Sequence, residues 1–171
     1  MWEYRGQKKP PFAENPGPGQ ESVWDYPRPP TIVVDHRRIE IRLGDLVIAD
    51  SRRNCRILET ASPPTFYIPP HDVRLPLLEL CPGISVCEWK GAAQYWTLRD
   101  PPGSPRAIGW SYPNPKHPFE AIAGYFSFYP SLVECFVDGE RARPQPGEFY
   151  GGWVTSEIVG PFKGGAGTQR W

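Results

Sequence analysis

The sequence predicts a mainly β protein built on a rolled, curved antiparallel sheet. Short runs of β-branched and aromatic residues recur between residues 31 and 137. Glycine and proline, present 17 and 23 times in 171 residues, separate these runs. A chain of this length fits one domain with appended tails, and it can bury enough surface to fold without a metal or a disulfide.

The first 30 residues are predicted to form an extended arm. Proline removes backbone donors and breaks helices, so a proline-rich segment supports neither a helix interior nor a central strand. The prolines of this segment are Pro10, Pro11, Pro16, Pro18, Pro27, Pro29 and Pro30. The aromatic segment Val23-Trp-Asp-Tyr26 is expected to anchor the arm by packing on the domain, because tryptophan and tyrosine exposed together in a free tail are unusual.

The first predicted strands follow from residue 31. Ile39 and Ile41 alternate with charged neighbours, which is the pattern of a half-buried strand. A turn at Gly44 predicts a hairpin with the apolar run after it. The strands predicted in this half are residues 31–34, 38–42, 46–49, 55–59 and 65–68. Prolines on both sides of the last run place it at a sheet edge.

The second half contains further strand-like runs, at residues 85–89, 93–98, 107–112, 125–129 and 133–137. Two short helices are also predicted. One turn lies within residues 71–80, and a second lies at residues 119–123, where proline precedes the segment and glycine follows it.

The predicted domain therefore covers residues 31–140, and residues 141–171 form a glycine-rich C-terminal extension. Phe149, Tyr150 and Trp153 are expected to dock part of this extension on the domain. Lys163 lies among glycines near its end, but the spacing does not match a phosphate-binding loop. The stretch around Lys163 is therefore predicted to be a flexible tail.

Composition excludes several classes of function. Lysine plus arginine and aspartate plus glutamate number 19 each, so no net field would attract nucleic acid. No apolar window is long enough to span a membrane and no secretion signal is present, so we expect a cytoplasmic protein. The spacing of Cys55, Cys81, Cys87 and Cys135 fits neither a structural zinc site nor a disulfide framework, and no metal or other cofactor is predicted.

An ordered set of motifs carries a resemblance to a known family. The motifs are Leu58-Glu-Thr60, Tyr67-Ile-Pro-Pro70, Cys87-Glu-Trp-Lys-Gly91, Ala93-Gln-Tyr-Trp96, Trp110-Ser-Tyr-Pro-Asn-Pro115 and Ile122-Ala-Gly-Tyr-Phe126. Between residues 39 and 139 this set resembles the bacterial family named domain of unknown function 427. The resemblance implies a compact β fold of the β-tent type and no mechanism. The nucleotidyltransferase-style label sometimes used for the family has no support from a paired-carboxylate metal site in this sequence.

One departure from the family motif changes the chemistry of its central turn. The segment is usually Cys-Pro-Trp-Lys-Gly, whereas Glu88 replaces the proline in this chain. The replacement restores a backbone donor and places a carboxylate two residues before Lys90. The terminal arms lie outside the motifs, and the resemblance says little about them.

Lys90 is the first candidate for a functional residue. Between a tryptophan and a glycine, its amine can bind an anion or, if desolvated, act as a nucleophile with a lowered pKa. The alternative is a solvated turn lysine next to a glycine that needs a positive φ. Cys87 lies three residues earlier, where an ammonium would favour its thiolate. No histidine in a hydrolase context accompanies it, so a buried inert cysteine is the preferred interpretation.

Glu59 is the second candidate, because it lies at the end of an apolar strand. A carboxylate there can accept a proton or orient a ligand, and it can equally bond Thr60 or a backbone donor. If Glu59 and Lys90 share one pocket, both functional interpretations gain weight.

Aromatic residues concentrate in the same motifs. Candidates for a ligand-binding wall are Tyr67, Trp89, Tyr95, Trp110 and Tyr112. Side chains alternate across a strand, so Tyr95 and Trp96 must face opposite sides and only one of them can line a given pocket. Core packing accounts for at least half of the aromatic set.

Three functions remain open at this point. The preferred one is a small-molecule binding domain with an aromatic pocket and Glu59 and Lys90 as polar contacts. The second is an enzyme for a small anionic or nucleotide-like substrate, with Lys90 holding the anion and Glu59 as acid/base. The third is an interaction module that uses its arms through Trp24, Tyr26 and Trp153. The sequence does not give the oligomeric state.

Overall fold

The computed structural model describes residues 1–101 and 106–171. The strands in these residues are, in chain order, β1 (Glu21–Ser22), β2 (Thr31–Asp35), β3 (Ile39–Leu43), β4 (Leu46–Ser51), β5 (Asn54–Glu59), β6 (Ser62–Tyr67), β7 (Leu78–Cys87), β8 (Gly91–Leu98), β9 (Gly109–Ser111), β10 (Phe126–Phe128), β11 (Glu134–Val137), β12 (Glu140–Arg141), β13 (Arg143–Pro144), β14 (Trp153–Val154) and β15 (Ile158–Val159). The prediction of a mainly β protein is confirmed.

Helical structure is limited to single 3-10 turns in the described residues. They span Val23–Asp25, Pro70–Asp72, Leu75–Leu77 and Glu120–Ile122. Proline at the start of the second and third turns sets the backbone angle and ends any longer helix. None of these turns is long and apolar enough to cross a membrane.

The strands divide among several sheets rather than forming one continuous sheet. Two four-stranded sheets have the orders β10-β9-β8-β7 and β12-β11-β3-β4, and a three-stranded sheet has the order β2-β5-β6. Pairing within these three sheets is antiparallel. Two small ladders, β13-β14 and the parallel pair β1-β15, bring in the terminal segments.

Strand β7 is longer than predicted because it continues through Pro82 and Gly83. The register with β8 shifts between Cys81 and Ile84, which marks a β-bulge. Gly83 adopts a φ of 101°, which a residue with a side chain rarely takes. β7 lies at the edge of its sheet, where the missing proline donor is tolerated.

The main core lies between the sheets and is built by alternation along the strands. Ile39 and Ile41 of β3 and Phe66 of β6 point into it. Trp153 from the C-terminal extension is fully buried there, its ring centroid 4.9 Å from that of Phe66, and its indole nitrogen donates to the carbonyl of Phe128. Part of the C-terminal extension therefore belongs to the core.

A second cluster buries the N-terminal arm. Val23, Trp24 and Tyr26 are buried against Leu58 and Ala61, so the predicted anchor is confirmed.

Burial also decides two other predictions about the arms. Because Trp24, Tyr26 and Trp153 are buried, they cannot be the contact residues of an interaction module. Phe149 does not dock the extension as predicted, since it is 78% exposed and its ring contacts that of Tyr150.

Candidate functional site

A cavity of about 290 Å³ lies between the β5-β6 side of the molecule and strands β7 to β9. Side chains two residues apart on each strand share a face, so alternation lines the cavity with whole rows of residues. The rows are Ile57 and Glu59; Pro63, Thr65 and Tyr67; Ser85 and Cys87; Ala93 and Tyr95; and Trp110 with Tyr112. Trp96 points the other way, into the main core, as the alternation predicted.

The structure brings all of the sequence-predicted site residues to this cavity. Its lining includes Glu59, Tyr67, Trp89, Lys90, Tyr95, Trp110 and Tyr112. Glu59 and Lys90, which come from different sheets, therefore share one pocket.

Lys90 reaches the cavity from the turn between β7 and β8. Gly91 adopts a φ of 99° just after it, and the backbone N–H of Lys116 donates to the Lys90 carbonyl at 3.0 Å. The expected turn geometry is present, but the side chain is not solvated as in an ordinary surface turn. Its Nζ lies 5.7 Å from the ring centroid of Tyr112 and lines the cavity.

The environment of Lys90 keeps its amine protonated. Burial alone would lower the pKa of Lys90, but the neighbouring Tyr67, Cys87 and Glu59 side chains oppose that effect, and the pKa is raised overall. Among the residues that the structure describes, no carboxylate lies within ion-pair distance of its Nζ. The raised pKa gives no support to the hypothesis of a nucleophilic lysine with a lowered pKa, and the geometry favours an anion contact.

Glu59 is engaged by an arginine from the N-terminal arm. Nε of Arg28 donates to Oε1 of Glu59 at 3.1 Å, and the Arg28 side chain is only 2% exposed. Arg28 also donates to the carbonyls of Tyr4 and Thr60. Glu59 thus neutralises a buried cation, which leaves the acid/base role in the enzyme hypothesis without structural support.

The aromatic wall offers neutral hydroxyl groups to a ligand. Nε1 of Trp110 donates to the Tyr67 hydroxyl at 3.2 Å, and the Ser85 and Tyr95 hydroxyls bond each other. Burial raises the pKa of Tyr67 and of Tyr112, so both stay protonated at neutral pH.

The terminal segments close the cavity with residues that sequence analysis missed. Trp2, Gln145, Tyr150, Gly151 and Lys163 all line it. Gly151 passes so close to Trp110 that an added Cβ would lie 2.2 Å from the indole ring. No periodic pattern or motif marks these residues as lining a cavity.

Lys163 is the most important of the missed residues, and its assignment to a flexible tail is wrong. The residue is 2% exposed, and its Nζ donates to the main-chain oxygen of Trp171 at 3.1 Å. Burial, helped by the nearby positive charge of Arg28, lowers the pKa of Lys163 to about 8.

A second cavity, of about 580 Å³, adjoins the first. The two share Trp2, Glu88 and Trp89, and the second also contains Arg5, Arg28 and Arg170. Trp2 and the β7-β8 turn therefore form the partition between them.

The described residues contain no group of three or more His, Cys, Asp or Glu side chains placed to hold a metal ion. The four cysteines are free thiols, and only Cys87 lines the cavity.

The chain matches a protein-family model. The model described as "Domain of unknown function (DUF427)" matches residues 31–139, which contain strands β2 to β11. Trp2, Arg28, Tyr150 and Lys163 lie outside the matched segment. No curated protein matches the chain.

Proposed function

Since the chain belongs to the DUF427 family, whose description assigns no activity, we propose a function from the cavity itself. The cavity binds a small molecule that presents an anionic group to Lys90 and a planar apolar body to the aromatic wall. The observation that supports this proposal most directly is the position of Lys90. Its protonated amine lines an aromatic cavity and has no carboxylate partner among the described residues.

Charge supports an anionic ligand over a cationic one. Glu59 is paired with Arg28, and Glu88 accepts a hydrogen bond from Trp2, so both carboxylates of the cavity are engaged. A desolvated ammonium attracts an anion more strongly than it would in water, because the surrounding dielectric constant is low. An anionic group beside Lys90 would compensate its charge.

Size and lining support a small ligand. Small-molecule sites are typically about 300–1,000 Å³ and mostly apolar, with a few placed polar groups. At about 290 Å³ the cavity lies just below that range, and its tyrosines and tryptophans provide flat surfaces and hydroxyl groups. A single-ring or fused-ring acid fits this description better than a peptide does.

The test compares matched anionic and neutral probes by thermal unfolding. Aromatic carboxylates such as benzoate are expected to raise the Tm of the wild type in a saturable way, while the isosteric amides do so less. The variant Lys90→Met should lose the preference for the acid.

Lys116→Met is the control, because Lys116 is an exposed lysine that contacts the same turn through the Glu88 carbonyl. This variant should keep the response. An unchanged acid preference in Lys90→Met, or its loss in both variants, would contradict the proposal.

A further inference from the structure

The side chain of Trp2 lies in the wall of the cavity and is held there as a ligand would be. The guanidinium carbon of Arg28 lies 4.4 Å from the Trp2 ring centroid, and Nζ of Lys163 lies 3.6 Å from it. The indole Nε1 of Trp2 donates to Oε1 of Glu88 at 2.9 Å. Two cations over an electron-rich ring and a carboxylate at its N–H together recognise an indole.

The chain next to Trp2 has anchors of its own. Tyr4 packs edge-on against Phe12 and Trp24, with centroid distances of 5.9 and 5.2 Å. The backbone N–H of Glu3 donates to the Arg170 carbonyl at 2.7 Å. The arm therefore stays attached when the Trp2 side chain leaves, and Trp2 itself is only partly buried.

The two cations of this subsite are held in place by the rest of the protein. Arg28 is positioned by Glu59, Tyr4 and Thr60, and Lys163 by the main-chain oxygen of Trp171. Removal of the indole would leave the cations and the Glu88 carboxylate facing a vacant space of indole shape. Preorganised groups of this kind bind an incoming ring without a large ordering cost.

We propose that Trp2 occupies a subsite for a small planar aromatic molecule that carries a ring N–H, an indole-type ligand, and that such a ligand binds by displacing the Trp2 side chain. The inference rests on the proposed function, since the subsite belongs to the same cavity, and it names the ring class that the cavity takes. The ring is recognised by Arg28, Lys163 and Glu88, and an acidic substituent of the ligand would bind Lys90, which lines the same cavity.

The first experiment is chemical rescue of a vacated subsite. Indole is titrated against wild type and Trp2→Ala, and binding is measured by the shift in Tm and by calorimetry. Indole should bind Trp2→Ala at least about tenfold more tightly than wild type, because the competing side chain is gone. Equal affinities for the two proteins would overturn the proposal.

The second experiment tests the hydrogen bond to Glu88. N-methylindole has the same ring system but no N–H, so it should bind Trp2→Ala about tenfold more weakly than indole does. In the double variant with Glu88→Ala this preference should disappear. If N-methylindole binds as well as indole in Trp2→Ala, the subsite does not recognise a ring donor and the proposal is wrong.

If Trp2→Ala folds poorly, the variant Trp2→Phe is tested in its place. The phenylalanine side chain still fills the subsite with an aromatic ring but lacks the N–H that donates to Glu88. Indole should therefore displace this phenylalanine more easily than it displaces Trp2 of the wild type. Equal indole affinity in Trp2→Phe and wild type would again contradict the inference.

The two proposals fail separately. Indole carries no acid, so rescue of Trp2→Ala without any Lys90-dependent preference for anions would sustain the subsite and reject the anion site. A Lys90-dependent acid preference without indole rescue would do the reverse.

Discussion

Two lysines line the same cavity with opposite electrostatic behaviour. The pKa of Lys90 is raised by its neighbours Tyr67, Cys87 and Glu59 despite its burial, whereas the pKa of Lys163 is lowered to about 8 by burial and by Arg28. Lys90 could be selected from the sequence, because a motif with a turn glycine surrounds it. Lys163 could not, because its surroundings are created by residues from the opposite end of the chain.

The depressed pKa of Lys163 makes the stability of the protein depend on pH in a predictable direction. Folded Lys163 loses its proton near pH 8, while the unfolded chain keeps that proton until about pH 10.4, so the unfolded state binds more protons between these values. The free energy of unfolding of the wild type, relative to Lys163→Met, should rise by on the order of 1 kcal/mol from pH 7 to pH 9.5. Urea unfolding at several pH values measures it.

The exposed lysine variant Lys8→Met serves as the control for that measurement. Its difference from the wild type should stay constant over the same pH range. A difference between wild type and Lys163→Met that is flat, or that falls with pH, would show that Lys163 does not titrate as described.

Among the elements, the strands whose side chains alternate were the most predictable from sequence. Opposite faces for Tyr95 and Trp96 follow from alternation alone, and the edge position of β6 follows from its prolines. The first half of β7 was not predicted, because Pro82 and Gly83 interrupt the pattern and sequence alone does not distinguish a bulge from the end of a strand.

The ion pair between Arg28 of the N-terminal arm and Glu59 of β5 connects the arm to the domain, and its contribution to stability can be measured. Glu59→Gln should lower the free energy of unfolding by about 1–3 kcal/mol, because the Arg28 guanidinium stays buried with no opposite charge. Denaturant unfolding measures the change.

Asp50→Asn is the matched comparison, since the pair between Asp50 and Arg38 is exposed on both sides. Its effect should be clearly smaller. Equal losses of stability in the two variants would mean that the burial of Arg28 does not determine how much its ion pair contributes.

At the scale of the whole molecule, the terminal segments complete both the core and the cavity. The family match ends at residue 139, yet Trp153 fills the main core and Lys163 lines the cavity. The sequence allowed prediction of the cavity residues within the matched segment because motifs mark them. It gave no comparable indication for the residues beyond, whose contacts depend on tertiary packing without periodicity.

Substitution of two aromatic residues in the C-terminal extension, one buried and one exposed, tests this conclusion. Trp153→Ala should cost about 3–5 kcal/mol of stability, because it empties a fully buried site and removes the bond to the Phe128 carbonyl. Phe149→Ala, at an exposed position, should change stability by no more than about 0.5 kcal/mol. Similar losses in both variants, measured by denaturant unfolding, would contradict an integral role for the extension.

The bulge in β7 also bears on how these molecules behave toward one another when crowded. This edge strand carries Leu80, Ile84 and Val86, all more than half exposed, and an exposed apolar edge strand can pair with strands of other molecules into fibrils. Between Leu80 and Ile84, Pro82 has no backbone N–H to donate and Gly83 changes the direction of the backbone. A strand from another molecule would therefore find the row of backbone hydrogen-bonding groups interrupted at this point. We therefore expect the irregularity that interrupts the sequence pattern of this strand to oppose aggregation along its edge as well.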